Sequence, residues 1–267
     1  MDRAVGVFDS GLGGLTTVKA LNELLPNEDI IYFGDTARIP YGSKSRETIL
    51  KYATQDTNFL KTKNVKMIIA ACGTVSSLIG GKNLTSALPF TGVLLPAVQA
   101  ACAATRTKRI GVIGTLATIQ SGSYGKAIKN IEQKAVVIGN ACPMFVPLVE
   151  NGYISGQIAE YFVKEYLTPI KKENVDTLIL GCTHYPILKD VIADFMGETV
   201  KLISPGEEAA KYASIALLSE NLLNEKNEQG INSYYVSDSP ESFEQNAARF
   251  LGGSINGEVK LASVGVG

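Results

Sequence analysis

The sequence predicts an α/β protein made of two related halves, each a parallel sheet covered by helices. Three observations carry this. Short β-branched runs alternate with longer amphipathic stretches along the whole chain. The short runs are continuously apolar, the pattern of strands buried on both faces. A strand-and-turn unit also recurs: Asn64-Val65-Lys66-Met67-Ile68-Ile69-Ala70-Ala71-Cys72 aligns with Asn174-Val175-Asp176-Thr177-Leu178-Ile179-Leu180-Gly181-Cys182, at an offset of 110 residues.

Taken in order, residues 5–8 form the first strand-like run, followed by a helix-like segment at 15–25 and a second strand at 30–33. A helix over 45–61 leads to strands at 67–70 and 93–95, and then to strands at 110–113 and 136–139. The helix at 157–171 precedes strands at 177–180 and 200–203, and a helix covers 205–223. The polar stretch 224–230 reads as a loop, after which a strand, a helix and a strand close the chain at 233–236, 240–251 and 259–263. A second internal match lies upstream of the first. Arg3-Ala4-Val5-Gly6-Val7-Phe8-Asp9-Ser10 resembles Lys108-Arg109-Ile110-Gly111-Val112-Ile113-Gly114-Thr115, at an offset of 105 residues. Ligands of such sheets bind beyond the carboxyl ends of the strands, so the turns after these runs are the places to look for chemistry.

Composition narrows the classes. The 267 residues suffice for two domains, and 45% hydrophobic content fills their cores. Charged residues nearly cancel, for a formal net charge of −1, and no basic stripe marks a nucleic-acid surface. The most apolar stretch, 93–104, is too short to span a bilayer. The Met1-Asp2-Arg3 start leaves no room for a signal-peptide core. The four cysteines, Cys72, Cys102, Cys142 and Cys182, form no Cys-x-x-Cys pair or disulfide framework. A cytoplasmic protein with reduced thiols is the expectation.

Three motifs carry candidate chemistry. Asp9-Ser10-Gly11-Leu12-Gly13-Gly14 follows a strand and opens a helix. It does not fit G-x-G-x-x-G, and a carboxylate at its tip disfavours phosphate. Asp9 therefore reads as a general base or orienting group, or equally as a helix cap. Cys72-Gly73-Thr74 and Cys182-Thr183-His184 end equivalent strands. One cysteine at a strand end is most often a small buried apolar residue; two at matched positions, each followed by hydrogen-bonding groups, point to reactive thiols. His184 is the single histidine of the chain and stands two residues from Cys182, where it can tune or relay a thiol proton. Zinc ranks low, because no local ligand pair is present. A cysteine hydrolase leaves the second thiol unexplained. Racemisation employs both: inverting an α-carbon needs proton removal on one face and delivery on the other. Thiols, titrating near ~8.5, are suited to that exchange.

These motifs closely resemble the glutamate racemases of the aspartate/glutamate racemase superfamily, over nearly the whole chain. The resemblance rests on Asp9 to Thr16, on Gly34-Asp35-Thr36-Ala37-Arg38-Ile39-Pro40-Tyr41-Gly42, and on Gly111-Val112-Ile113-Gly114-Thr115 with Thr118. It also rests on Gly181-Cys182-Thr183-His184-Tyr185-Pro186 and on Val236-Ser237-Asp238. It implies two pseudo-symmetric Rossmann-like or flavodoxin-like domains with the site in the cleft between them. The first would comprise 1–96 plus 208–267 and the second 97–207. It implies Cys72 as the base towards D-glutamate, assisted by Asp9, and Cys182 as the base towards the L-enantiomer, assisted by His184. Glu150 matches an acid that some members place near the second thiol, and reads equally as a surface acid at a helix end. Asp9, Ser10, Pro40, Tyr41, Gly42, Gly73, Thr74, Thr115, Thr118, Thr183 and His184 would hold the substrate. No cofactor and no metal are implied. The partner is a small molecule, not nucleic acid or membrane, and a homodimer is left open. The product would serve peptidoglycan synthesis.

Two positions depart from the pattern. Gly73 stands where the family usually has Asn, and Ser204 where Asp is common. The first motivates an alternative substrate, aspartate or another small amino acid. A binding protein that kept the fold and lost turnover is the rival from another class.

Overall fold

The computed structural model describes residues 3–80, 82–85 and 87–264; the opening Met1-Asp2 lies outside them. Its strands are β1 (Val5–Asp9), β2 (Ile30–Gly34), β3 (Met67–Ala70), β4 (Phe90–Gly92), β5 (Arg109–Gly114), β6 (Val136–Ala141), β7 (Thr177–Leu180), β8 (Lys201–Ile203), β9 (Asn232–Val236) and β10 (Gly257–Leu261). The helices are α1 (Leu15–Leu24), α2 (Arg46–Thr62), α3 (Gly73–Ile79), α4 (Leu94–Ala104), α5 (Leu116–Ser121), α6 (Ser123–Ile131), α7 (Phe145–Glu150), α8 (Gly156–Lys172), α9 (Lys189–Met196), α10 (Pro205–Ser219) and α11 (Pro240–Leu251). Short 3-10 turns lie at Thr36–Arg38, Tyr41–Ser43 and Tyr185–Leu188. No helix among the described residues is long and apolar enough to cross a membrane.

The strands form two sheets, with order β10-β9-β2-β1-β3-β4 in one and β6-β5-β7-β8 in the other. Every pairing is parallel. The block β2-β1-β3-β4 and the block β6-β5-β7-β8 have the same order, with β5 in the place of β1 and β7 in the place of β3. That is the correspondence the internal sequence matches predict. In both, the order reverses between the first and third strands, and the carboxyl ends beside such a reversal are where sheets of this kind bind ligands. Ser10 follows β1 and Cys72 follows β3; Thr115 and Cys182 hold the same places after β5 and β7.

Both faces of each sheet are packed. Along β3, Met67 and Ile69 pack with Leu15, Val18 and Leu21 of α1, whereas Ile68 and Ala70 pack with Ile49, Ala53 and Leu60 of α2. The period of two explains why the run carries no polar position. In the second sheet Ile110 and Val112 join α4 and α6, while Leu178 and Leu180 face α8.

One stretch departs from the sequence reading. Residues 93–95 begin α4, and the strand beside β3 is the short β4 before them. Pro96 is the third residue of α4. A first-turn N–H has no intrahelical partner, so proline is accepted there but would remove a ladder hydrogen bond from a strand.

Candidate active site

The first half of the site is a turn tied by its own carboxylate. Asp9 is buried, and its Oδ2 accepts the Gly11 N–H at 3.2 Å and the Gly14 N–H at 3.0 Å. This is turn closure, not helix capping: the N-cap of α1 is Gly14, with no side-chain bond. Tyr32 donates to the Gly11 carbonyl at 2.7 Å and supports the turn from below. The glycines are required by close approach. A Cβ on Gly14 would stand 2.6 Å from Asp9 Cβ, and one on Gly13 would clash with Thr183 Oγ1 and stand 2.6 Å from His184 Nδ1. The opening turn of one half therefore lies directly against the cysteine-following loop of the other. Thr16 ties the two, donating to the Gly13 carbonyl at 2.8 Å and standing 3.2 Å from the Thr183 carbonyl.

Cys72 is the N-cap residue of α3 and is 4% exposed. Its thiol lies 3.6 Å from Ser10 Oγ. Burial, and then the Asp9 charge, push the thiol up to about 12, against the lowering pull of the Val75 and Thr74 amides and the Ser10 hydroxyl. At neutral pH this sulfur holds its proton. Gly73 lets the next residue meet the opposite half. A Cβ there would stand 2.9 Å from the Gly181 carbonyl oxygen and 4.0 Å from Cys182 Cα. The two cysteine-bearing turns thus abut across the seam between the sheets. Thr74 is half-buried in the same first turn of α3.

Cys182 is half-buried after β7. His184 beside it is buried; its Nε2 lies 3.1 Å from Glu150 Oε1 and its Nδ1 3.4 Å from Thr183 Oγ1. Phe250 packs edge-on to the ring, with centroids 5.2 Å apart. Burial pulls the imidazolium down, but hydrogen bonds and charges from Cys182 and Glu150 together outweigh it and hold it at about 10. The ring is cationic at neutral pH. Glu150 unites the two sequence readings: it is exposed at the end of α7, and its carboxylate faces the imidazole.

Other expected residues divide. Thr115 caps α5 by accepting the Thr118 N–H at 3.3 Å, and the two hydroxyls lie 3.0 Å apart. Pro40, Tyr41 and Gly42 border the seam, with the Gly42 Cβ position 3.8 Å from Ala117 Cβ at the start of α5. The Tyr41 hydroxyl points away, into a buried set formed by Asp35, Asp56 and Arg38. Ser237 completes that set by donating to Asp35 at 2.9 Å, which accounts for the late Val236-Ser237-Asp238 motif. Ser204 is the buried N-cap residue of α10, without a side-chain capping bond.

Residue-by-residue reading overlooks Thr16, Phe250 and Asp56. Asp56 had a legible signal. It falls on the buried stripe of α2 with Ile49, Ala53 and Leu60, where an acid is out of place unless it has partners. Among the described residues no group of three or more His, Cys, Asp or Glu side chains gathers as a metal site.

Comparison with known proteins identifies the family. The family model described as Asp/Glu/Hydantoin racemase matches residues 6–213. The glutamate racemase of Geobacter metallireducens is 45% identical over 263 residues, covering 98% of this chain and 97% of that protein. The crystal structure of the Francisella tularensis glutamate racemase in complex with D-glutamate superposes with a TM-score of 0.89 at 41% identity, covering 98% of both chains. Glutamate racemase isoform RacE1 from Bacillus anthracis gives a TM-score of 0.90 at 36% identity, covering 98% of this chain and 97% of that one.

Proposed function

The chain belongs to the Asp/Glu/hydantoin racemase family, and we propose that it interconverts L- and D-glutamate by passing the α-proton between Cys72 and Cys182, without a cofactor. The observation that carries this reading is the meeting of the two cysteine turns, with the Gly73 Cβ position 4.0 Å from Cys182 Cα. It supports a single carbon held between two sulfurs.

The protonation of the neighbours supports a direction for the resting enzyme. Cys72 is a thiol, pushed up by burial and Asp9. On the other side His184, raised by Cys182 and Glu150, faces Cys182, and the sulfur that removes the α-proton must enter the reaction without its own. Cys182 would then take the α-proton of L-glutamate, breaking C–H and forming S–H. The carbanion electron pair would take the proton of Cys72 on the opposite face, giving D-glutamate and a Cys72 thiolate. The D-to-L reaction is the reverse. Ser10, Thr74, Thr115, Thr118 and Thr183, with the amides of the Tyr41–Gly42 segment, would clamp the carboxylates and ammonium and fix the carbon in place. The division that fits this reading sets 1–96 plus 208–267 against 97–207, the cleft running between them. The D-glutamate would serve peptidoglycan synthesis in the cytoplasm.

The test is incubation of the purified protein with L-glutamate and, separately, L-aspartate in deuterated water, with no added cofactor and with enantiomers resolved. The reading expects D-glutamate labelled with deuterium at the α-carbon. Conversion of aspartate alone would overturn the substrate, and no α-exchange with either would overturn the activity.

A further inference from the structure

The 3-10 turns that carry Ile39, Pro40, Tyr41 and Gly42 to the seam hang on a buried set of side chains that takes no part in the proton transfer proposed above. Asp35 and Asp56 are fully buried. Arg38 Nε donates to Asp35 Oδ2 at 2.5 Å, Nη2 to Asp56 Oδ1 at 3.0 Å and Nη1 to Gln55 Oε1 at 2.5 Å. The guanidinium also stacks 4.1 Å over the Tyr52 ring. The Tyr41 hydroxyl stands between Asp35 Oδ2, which it meets closely, and Asp56 Oδ2 at 2.9 Å.

Counting hydrogens decides the protonation. A phenol has one hydrogen, and burial with the two flanking acids holds it on Tyr41. It cannot serve both carboxylates. Asp35 takes it, with further donation from Arg38 and Ser237. The Asp56–Tyr41 contact then needs a hydrogen of its own, and Asp56 must bring it. Two buried carboxylates beside one cation would otherwise leave an uncompensated charge. We infer that Asp56 is a positioning residue: it is kept as a neutral carboxylic acid that donates to the Tyr41 oxygen, and so sets where the Tyr41–Gly42 backbone meets α5 across the cleft. Burial first and the Asp35 charge next both raise Asp56, and Asp9 at the end of β1 adds to the same effect, against the pull of Tyr41 and Arg38.

The placement of the segment makes this matter. The Gly11 Cβ position is 3.5 Å from Ile39 Cγ2, and the Gly42 Cβ position is 3.8 Å from Ala117 Cβ. The segment touches the opening turn on one side and the second half on the other. Asp56 acts on it through Tyr41 and Arg38, so its loss alters how well substrate is held more than how fast a held substrate reacts.

This inference rests on the proposed function for its kinetic arm, and a spectroscopic arm tests it independently. The infrared difference spectrum between the wild-type chain and Asp56→Asn at neutral pH is expected to contain a protonated-carboxyl C=O band from the wild type; its absence overturns the inference whatever substrate the cleft takes. In the enantiomer-resolved assay, Asp56→Asn should keep near-native KM, because its amide donates to Tyr41 and its oxygen accepts from Arg38. Asp56→Leu should raise KM for glutamate at least about tenfold with a much smaller change in kcat, the scale of one lost hydrogen bond to a charged group. An unchanged KM in Asp56→Leu, or a KM in Asp56→Asn raised as far as in Asp56→Leu, would refute the positioning role. A wild-type chain with no glutamate turnover would count against the proposed function and leave the infrared result standing.

Discussion

Replacing Gly13 by alanine tests whether the two halves are held at a fixed distance by backbone contact. The added Cβ would clash with Thr183 Oγ1 and stand 2.6 Å from His184 Nδ1 and 2.8 Å from His184 Cε1. The Thr183 hydroxyl can rotate away. The ring cannot, because Glu150 holds its Nε2 and Phe250 packs on its edge. Real Cβ contacts begin at 3.0–3.4 Å, so the ring must withdraw by about 0.4–0.8 Å, a range that reaches past the ~0.5 Å tolerance of a working catalytic constellation. Overpacking of this kind costs about 1–3 kcal/mol of stability. The rate should suffer more: a displacement of this size in the acid–base pair is expected to lower kcat/KM about 10- to 100-fold. Thermal unfolding and the enantiomer-resolved assay separate the two effects. Gly253→Ala is the control, since nothing lies within 4 Å of its Cβ position. A Gly13→Ala protein with native turnover would show that the halves are free to adjust, and the argument from close approach would fail.

Three further outcomes are expected. Cys72→Ser and Cys182→Ser should each lower racemisation by about 10²–10⁴-fold, the usual worth of a general acid or base, with circular dichroism unchanged; near-native turnover in either would exclude the two-thiol scheme. His184 is held at about 10 in the fold, against ~6.5 when unfolded. Its contribution to stability is therefore complete below pH ~6.5 and is lost as pH rises through about 10. The Tm gap between wild type and His184→Gln should close over that window, and a gap that widens would reverse the assignment. Gly73→Asn, although it restores the usual family residue, should weaken activity. Its Cβ would stand 2.9 Å from the Gly181 carbonyl oxygen, a backbone atom that cannot rotate aside. A gain in kcat/KM would show that the seam yields readily.

The alternation of strands and helices, and the repeat that pairs Cys72 with Cys182, are legible in the residues alone. These are local facts. A strand buried on both faces must be continuously apolar, so the runs at 67–70 and 177–180 are legible and coincide with β3 and β7. The equal strand order of the two sheets follows from that repeat. Where apolar content lacks periodicity, as at 93–95, the residues do not distinguish a strand from the first turn of a helix, and α4 begins there. The motif residues were visible, but their partners were not. Gly13 is set by a loop 170 residues away, Tyr41 turns its hydroxyl from the cleft into Asp35 and Asp56, and Glu150 is a surface acid that also faces His184. Such contacts depend on how two sheets and their helices pack in three dimensions. Hydrophobic periodicity records which face of an element is buried, not what it is buried against, so these contacts are set by the packing of the folded chain.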